Sequence, residues 1–403
     1  MSGHIAVADL GYGDAGKGTV VDAICASGRT AAVVRFNGGA QAAHNVVAGG
    51  RHHTFAQFGS GTFHGVPTHL SRFVVVDPLA LAAEAASLGN PFHLLTVDGE
   101  ALLATPWHRA ANRVAERRRG GARHGSCGMG IGQTMAYALS NADAPRVADV
   151  LSPSRLRRRL AAVRDRLTAS LGALDAPPLD DVVAAFTAFG SAVSIVDGTH
   201  LERLLRQGPC VFEGAQGVLL DEWRGWHPYT TWSTTTFDNV AALCDSFERL
   251  GVVRTYTTRH GAGPFVTEAP LDLPERHNGT GEWQGAFRVG HFDAVAHRYA
   301  AEVAGGVDAL AVTHLDAPAR CPELRVCTSY DVGGVRWDRI APGPLRDLDH
   351  QARLTGALRD ARPGDLRRPA DWAGEIGALL GAPVRIESWG PARADKRVAV
   401  RPG

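Results

Sequence analysis

The segment Ile5-Ala-Val-Ala-Asp-Leu-Gly-Tyr-Gly-Asp-Ala-Gly-Lys-Gly-Thr19 runs from an apolar stretch into a glycine turn. Residues 4–10 read as a buried strand, and residues 18–27 read as the start of a helix. Between them Gly11–Thr19 fits G-x-x-x-x-G-K, with Gly18 standing before Thr19. Glycines let successive backbone N–H groups converge on a phosphate, and the helix N-terminus adds a favourable dipole. Lys17 brings a positive point charge to the same place. Only Lys17 and Lys396 are lysines in a chain with 42 basic residues, so the lysine in the loop is informative. Asp14 lies inside the loop, where a carboxylate repels phosphate unless it binds Mg²⁺ or accepts a proton from substrate. Phosphate chemistry, and not nucleotide storage alone, is the expectation.

Working outward, Ala31–Phe36, Phe73–Asp77, Cys210–Glu213 and Leu310–Thr313 read as further short strands, several of them ending in polar motifs. Strand, glycine turn, helix, strand predicts an α/β fold around a mostly parallel central sheet. Ligand sites in such sheets lie at the carboxyl ends of strands. Leu156, Leu160, Val163, Leu167 and Leu171 recur at helical spacing and predict a helix over 154–171. The arginines between them read as a solvated face. No linker divides the chain, which predicts one domain over 1–403, with a helical excursion at about 150–205 and a loop-rich one at about 342–373.

The chain has 403 residues, and 42 basic against 41 acidic side chains give a net charge of +1. That balance argues against a nucleic-acid scaffold. No run of 18 apolar residues predicts a membrane span. The N-terminus reads as a strand and not as a signal peptide. The six cysteines form no Cys-x-x-Cys pair, which argues against a zinc site or a disulfide framework. A cytoplasmic location is the default expectation.

Seven motifs in order resemble the adenylosuccinate synthetase family. They are the loop Tyr12–Thr19, Gly38-Gly-Ala-Gln-Ala-Ala-His-Asn45, Val211–Asp221, Tyr256–Phe265, Gly290–Val295, Thr313-His-Leu-Asp316 and Ser388-Trp-Gly-Pro391. The resemblance spans residues 11–391 and implies a GTP-dependent ligase with a P-loop-like GTP site. In this family GTP phosphorylates the 6-oxo group of inosine monophosphate (IMP), and an amine, normally aspartate, displaces that phosphate. It implies Asp14 as the base that removes the purine N1 proton and His44 as the acid partner. Gly13, Asp14, Ala15, Gly16, Lys17, Gly18, Thr19, Ala43, His44, Asn45, His314, Asp316, Ser388 and Gly390 would bind GTP. Asp316 would read the guanine N1 and N2 donors. Asp14, Lys17, Gln41, His44, Cys127, Gln216 and Thr231 would hold IMP. Asp14 and the Ala43 carbonyl would hold Mg²⁺. A homodimer is implied as well.

Departures from the family bear on the amine. A threonine- and arginine-rich stretch that grips aspartate is replaced by Glu282-Trp-Gln-Gly-Ala-Phe-Arg288. Only Arg288 survives from the arginine run. Each charge-assisted hydrogen bond to a carboxylate contributes about 1.5–3 kcal/mol, so losing two or more weakens aspartate binding by orders of magnitude. Glu282, Trp283, Gln284 and Arg288 would instead meet a less acidic amine, such as an amino sugar in specialised or nucleoside-antibiotic metabolism. Cys127, Ala15, Gln41 and His314 also replace family residues, and the arginine that crosses the family's dimer interface falls near Asn141, with Arg146 close by. Retention of Asp14 argues against the phage branch that uses a 2-aminopurine nucleotide. Two other readings stand beside this one: an ordinary aspartate-using synthetase, and a non-catalytic nucleotide-binding homologue.

Overall fold

Ten short strands carry the architecture, and the computed structural model describes residues 3–273, 275 and 279–399. In chain order they are β1 (Ile5–Asp9), β2 (Ala32–Arg35), β3 (Thr68–Leu70), β4 (Leu95–Asp98), β5 (Ser194–Val196), β6 (Cys210–Gly217), β7 (Glu248–Arg254), β8 (Ala309–Thr313), β9 (Val384–Ser388) and β10 (Lys396–Val398). They form one sheet in the order β10-β9-β8-β7-β1-β6-β2-β3-β4-β5. Every pairing is parallel except β9 with β10. β1 lies between β7 and β6, with Ile5 in register with both Glu248 and Val211. The glycine loop therefore leaves the middle of the sheet at its carboxyl edge.

Both faces of β1 are covered, which is why the run reads as continuously apolar. Ala6 and Ala8 point into a core with Phe212, Trp226 and Tyr299. Ile5 and Val7 point the other way, onto Val20, Val21 and Ile24 of helix α1 (Lys17–Cys25). Fully burying side chains of this size stabilises the fold by about 1.5–3 kcal/mol each. α1, like the helix Ile131–Ser140, begins at a left-handed glycine without a side-chain cap. Asp77, Thr105, Asp197, Asp347 and Asp371 cap their helices with a side-chain oxygen. The N-cap of α1 is Gly16, at φ 93°, with no side-chain cap. Its first turn thus keeps backbone N–H groups for a ligand.

Three sequence expectations need correction. Phe73–Asp77 is not a strand of the main sheet; only Val75–Val76 is extended, paired with Leu102–Leu103, while Thr68–Leu70 takes the sheet position. Asp77 is diverted to cap the helix Pro78–Ser87, accepting from the N–H groups of Leu79 and Ala80. The segment at about 150–205 holds the helices Pro153–Leu171, Leu179–Ala192 and Gly198–Gln207, but it also supplies the edge strand β5. The segment at 342–373 is more than a loop. It contains the helix Leu348–Asp360, whose Gln351, Leu354, Thr355 and Leu358 form a buried face at helical spacing. Lys396 is half-buried, with its ammonium turned onto the carbonyls of residues 390–392.

Candidate active site

The glycine loop is shaped from behind by Asp9, the last residue of β1. Its Oδ1 accepts the Gly11 N–H at 2.7 Å and its Oδ2 the Ala15 N–H at 2.7 Å. Lys17, only 1% exposed, lies 3.4 Å from the same Oδ2 and donates to the Gly13 carbonyl at 2.7 Å. The loop's charge is therefore pinned before any anion arrives. Gly18 is required by close approach, since a Cβ there would sit 2.7 Å from the His44 Cβ. The Ala15 amide is spent on Asp9. Of the fourteen residues expected around GTP, Ala15 alone is absent from the wall of the cavity described next.

A cavity of about 280 Å³ opens in front of this loop. It is walled by Gly13, Asp14, Gly16–Thr19, Ala43–Asn45, His314, Asp316, Ser388 and Gly390. Val47, Arg254, Glu275, Thr313, Arg320 and Pro391 complete the wall; Thr313 and Pro391 belong to the family-like motifs, whereas nothing in the sequence assigned Val47, Arg254, Glu275 or Arg320 to the site. Arg254, from the end of β7, donates to the Asp14 carbonyl and sits 3.0 Å from Glu275. Thr313, at the end of β8, donates to the Ala15 carbonyl at 2.7 Å. Asp316 is paired with Arg320 at 2.8 Å. The one available signal for Arg254 was its position at the carboxyl end of an apolar run; Thr313 both ends such a run and opens the Thr313–Asp316 motif.

Two carboxylates at this site are perturbed in opposite directions. Burial pushes the Asp14 carboxyl above its ordinary range, against the pull of Arg254, His260 and Lys17. Its side chain is still 23% exposed, so a ligand can reach it. A carboxylate held in this way is a better proton acceptor near neutral pH. Glu213 of β6 stands behind His44, with its Oε1 2.6 Å from His44 Nδ1. Burial pushes Glu213 up as well, but His44, Arg35 and the Ser60 hydroxyl more than offset this and bring it down to about 2. Burial lowers His44 to about 4, with Glu213 opposing. At neutral pH the pair is a neutral imidazole donating Nδ1–H to a carboxylate, leaving Nε2 as the acceptor nitrogen. Glu213 lay within a motif already noted, but nothing local marked it as the partner of a histidine far away in sequence.

The remaining expected residues group elsewhere. Gln41 and Gln216 meet around Gly38, where a Cβ would lie 3.5 Å from Gln41 Nε2 and 3.6 Å from Gln216 Oε1. The Thr231 N–H donates to Leu220 O at 2.8 Å. Residues 282–288 fold as a flap over 123–130 and do not wall the cavity. Trp283 is seated on Gly128, next to Cys127, where a Cβ would come within 2.9 Å of its ring. Arg113 and Arg117 lie 5.7 and 5.1 Å from the Trp283 ring centroid. Arg123 donates to the Glu282 carbonyl, and the Gln284 carbonyl presses on Gly261. Arg288 is engaged by Glu268 at 2.7 Å and by the Gly263 carbonyl at 2.9 Å. His260 joins flap to cavity: its ring packs on Phe287 at 4.8 Å, and its Nε2 is 3.6 Å from Asp14 Oδ2. Arg146 is held by Glu100.

A glycine loop at the centre of a parallel sheet, facing a base-like carboxylate and a histidine–glutamate pair, defines an α/β enzyme of phosphoryl chemistry. Comparison with known proteins then gives the family. The adenylosuccinate synthetase family model matches residues 6–396. The chain is 34% identical over 417 residues to the adenylosuccinate synthetase of Frankia alni, covering 95% of each. It is 31% identical over 431 residues to that of Thermobifida fusca, covering 99% of each. Its fold is similar to that of fully ligated adenylosuccinate synthetase from Plasmodium falciparum, with a TM-score of 0.86 at 20% identity, over 98% of this chain and 100% of the other. A cyanophage S-2L succinoaminodeoxyadenylate synthetase bound to dGMP and dATP superposes with a TM-score of 0.62, also at 20% identity, over 99% and 95%. The chain belongs to the adenylosuccinate synthetase family. It is a GTP-dependent ligase that forms a C–N bond on an IMP-like nucleotide. Among the described residues no helix is long and apolar enough to cross a membrane.

Proposed function

We propose that this ligase phosphorylates O6 of IMP, or a related 6-oxopurine nucleotide, and joins an amine other than aspartate at C6. Asp14 takes the N1 proton, and the electron pair moves onto O6. O6 then bonds to the γ-phosphorus of GTP as the bond to the β-phosphate oxygen breaks and GDP leaves. The amine attacks C6, the C6–O bond breaks, and phosphate departs. Phosphorylation is what turns the 6-oxygen into a leaving group. His44 starts neutral, and an incoming γ-phosphate raises its proton affinity, so it can hold a proton against the transferring group. Glu213 fixes the ring for that role.

Hard oxygen donors suit Mg²⁺. Asp14 and the Ala43 carbonyl supply such donors beside Lys17. No cluster of three or more metal-ligating side chains occurs among the described residues. An ion here would thus take most of its oxygens from the nucleotide, whose charge it would neutralise. Asp316, Ser388 and Gly390 would receive the guanine base, and Gln41, Cys127, Gln216 and Thr231 the second nucleotide.

The observation that supports a different amine is the condition of the flap. Arg288, its sole arginine, is already bound by Glu268 and Gly263, while Trp283 fills the space above Gly128. A dicarboxylate would find the flap's own arginine already engaged. An amino sugar or another weakly acidic amine fits better. The second reading, an ordinary aspartate-using synthetase, is favoured by Arg113, Arg117 and Arg123 crowding the same flap. Phosphate release with GTP, Mg²⁺ and IMP, with and without aspartate, followed by mass spectrometry of the nucleotide, separates the two. The expected result is no adenylosuccinate, with phosphate release that rises with another amine. Adenylosuccinate formed at a useful rate overturns the proposal. A homodimer, the family's assembly, is proposed for the active form and is checked by sedimentation.

A further inference from the structure

One lysine of the chain walls the cavity, and the other lies behind a turn that does. Lys17 serves the glycine loop. Lys396 lies on β10 directly opposite Ser388 of β9. Its Nζ donates to three successive carbonyls: Gly390 at 3.3 Å, Pro391 at 3.3 Å and Ala392 at 2.8 Å. Three carbonyl dipoles converging on one point repel each other unless a cation sits among them. A compact ammonium has three donors that can diverge to three oxygens of one turn, whereas a guanidinium is a planar fork of wider reach. That is a physical reason for lysine at this position in a chain that otherwise prefers arginine.

The turn held in this way is a junction. The Gly390 carbonyl also accepts the Ser388 hydroxyl at 3.1 Å, and the Pro391 carbonyl accepts the Thr19 hydroxyl of α1 at 3.1 Å. Ala392 bridges to Val47, in the strand that begins at His44. The Leu315 N–H, next to Asp316, donates to the Ser388 carbonyl at 2.9 Å. Gly390 and Pro391 wall the cavity, whereas Lys396 does not. We infer that Lys396 is a positioning residue for nucleobase selection: it fixes the turn Gly390–Ala392 so that Ser388, Gly390 and Asp316 present one geometry to the base of the triphosphate. This rests on the reading that those three residues receive guanine.

Equilibrium binding of a fluorescent methylanthraniloyl-GTP with Mg²⁺, displaced by GTP, ITP or ATP, tests it without knowledge of the amine. Lys396→Met is expected to weaken GTP about tenfold and to narrow the GTP-over-ATP preference by a similar factor, as loss of charge-assisted hydrogen bonds implies. IMP affinity stays unchanged, which shows that the variant is folded. Lys396→Arg restores only part of the preference. GTP affinity and base preference within about twofold of wild type in Lys396→Met overturn the inference. Asp316→Asn is measured alongside. If it loses base preference while Lys396→Met keeps it, the pocket assignment stands and only the positioning role fails. If Asp316→Asn also keeps it, both fall.

A pH series covers the case in which Lys396→Met does not fold. Burial lowers the Lys396 ammonium to about 8, opposed by Asp395 and Asp22 and assisted by Arg393, with His314 near enough to feel its charge. Base preference in the wild type should fall above that pH and stay flat in Lys396→Arg. A flat wild-type profile through pH 9 overturns the inference.

Discussion

The cavity at the end of β1 and the flap at 282–288 are made from different materials. Around the cavity, ionisable side chains are paired in the interior: Asp9 with Lys17, Glu213 with the neutral His44, Arg254 with Glu275. Each is anchored on or next to a strand of the sheet. On the flap, Trp283 is held by two arginines and a glycine, and Arg288 by Glu268, whose side chain is 46% exposed. Interior pairs act through a low dielectric and set both position and proton affinity. Cation–aromatic contacts near solvent contribute only about 0.5–1 kcal/mol each. On the proposed assignment, phosphoryl transfer sits where substitution is costly and amine choice where it is cheap, so one can change while the other is kept.

Asp14→Asn strikes the cavity side hardest. It should lower kcat by roughly 10²–10⁴-fold while GTP binding by fluorescence titration is retained, as expected for loss of a general base. Lost binding with normal turnover of bound substrate would instead make Asp14 a nucleotide ligand only.

The interior also makes the fold sensitive to acid. His44 is lowered to about 4, and His69 and His108 to about 3, each by burial. Below the ordinary value of 6.5 the unfolded chain takes up protons that the native chain refuses. Stability is therefore full above pH 6.5 and declines as pH falls toward 3. Glu213, lowered from 4.5 to about 2, adds a further loss across that lower window. Urea midpoints should show a loss on the order of several kcal/mol by pH 4. A stability that is level between pH 7 and pH 4 would mean these histidines charge freely in the folded chain.

The flap should respond least. Trp283→Ala removes the surface on which Arg113 and Arg117 rest, and should shift the KM for the amine by about two- to tenfold. GTP affinity should not move. A GTP affinity that drops with it would show that flap and cavity are one coupled unit, through His260 and Phe287.

Some of this was plain from neighbouring residues. The glycine loop, β6 and β8 were readable because an apolar run ending in a polar motif is a local pattern. So was the helix Pro153–Leu171, whose apolar spacing matches its buried residues Leu156, Leu160 and Val163. Phe73–Asp77 misled because the same β-rich letters serve a short bridge once Asp77 is drawn off as a helix cap. The segment at 342–373 misled because its prolines, glycines and charges flank the helix Leu348–Asp360 and mask it.

The sequence by itself determined the order of strand, glycine loop and helix, the family, and the presence of a base-like aspartate beside a lysine. The loop and its charges depend on residues within a few positions of each other, where spacing is geometry, and the family on the order of seven such local motifs. Only the tertiary structure decided that Glu213 backs His44, that Arg254 meets Asp14, that Arg288 is already taken, and that Lys396 lies under the turn bordering the cavity. Each of those is a contact between residues far apart in the chain. The parallel sheet brings strand ends together across long connections, and no local pattern records which ends will meet.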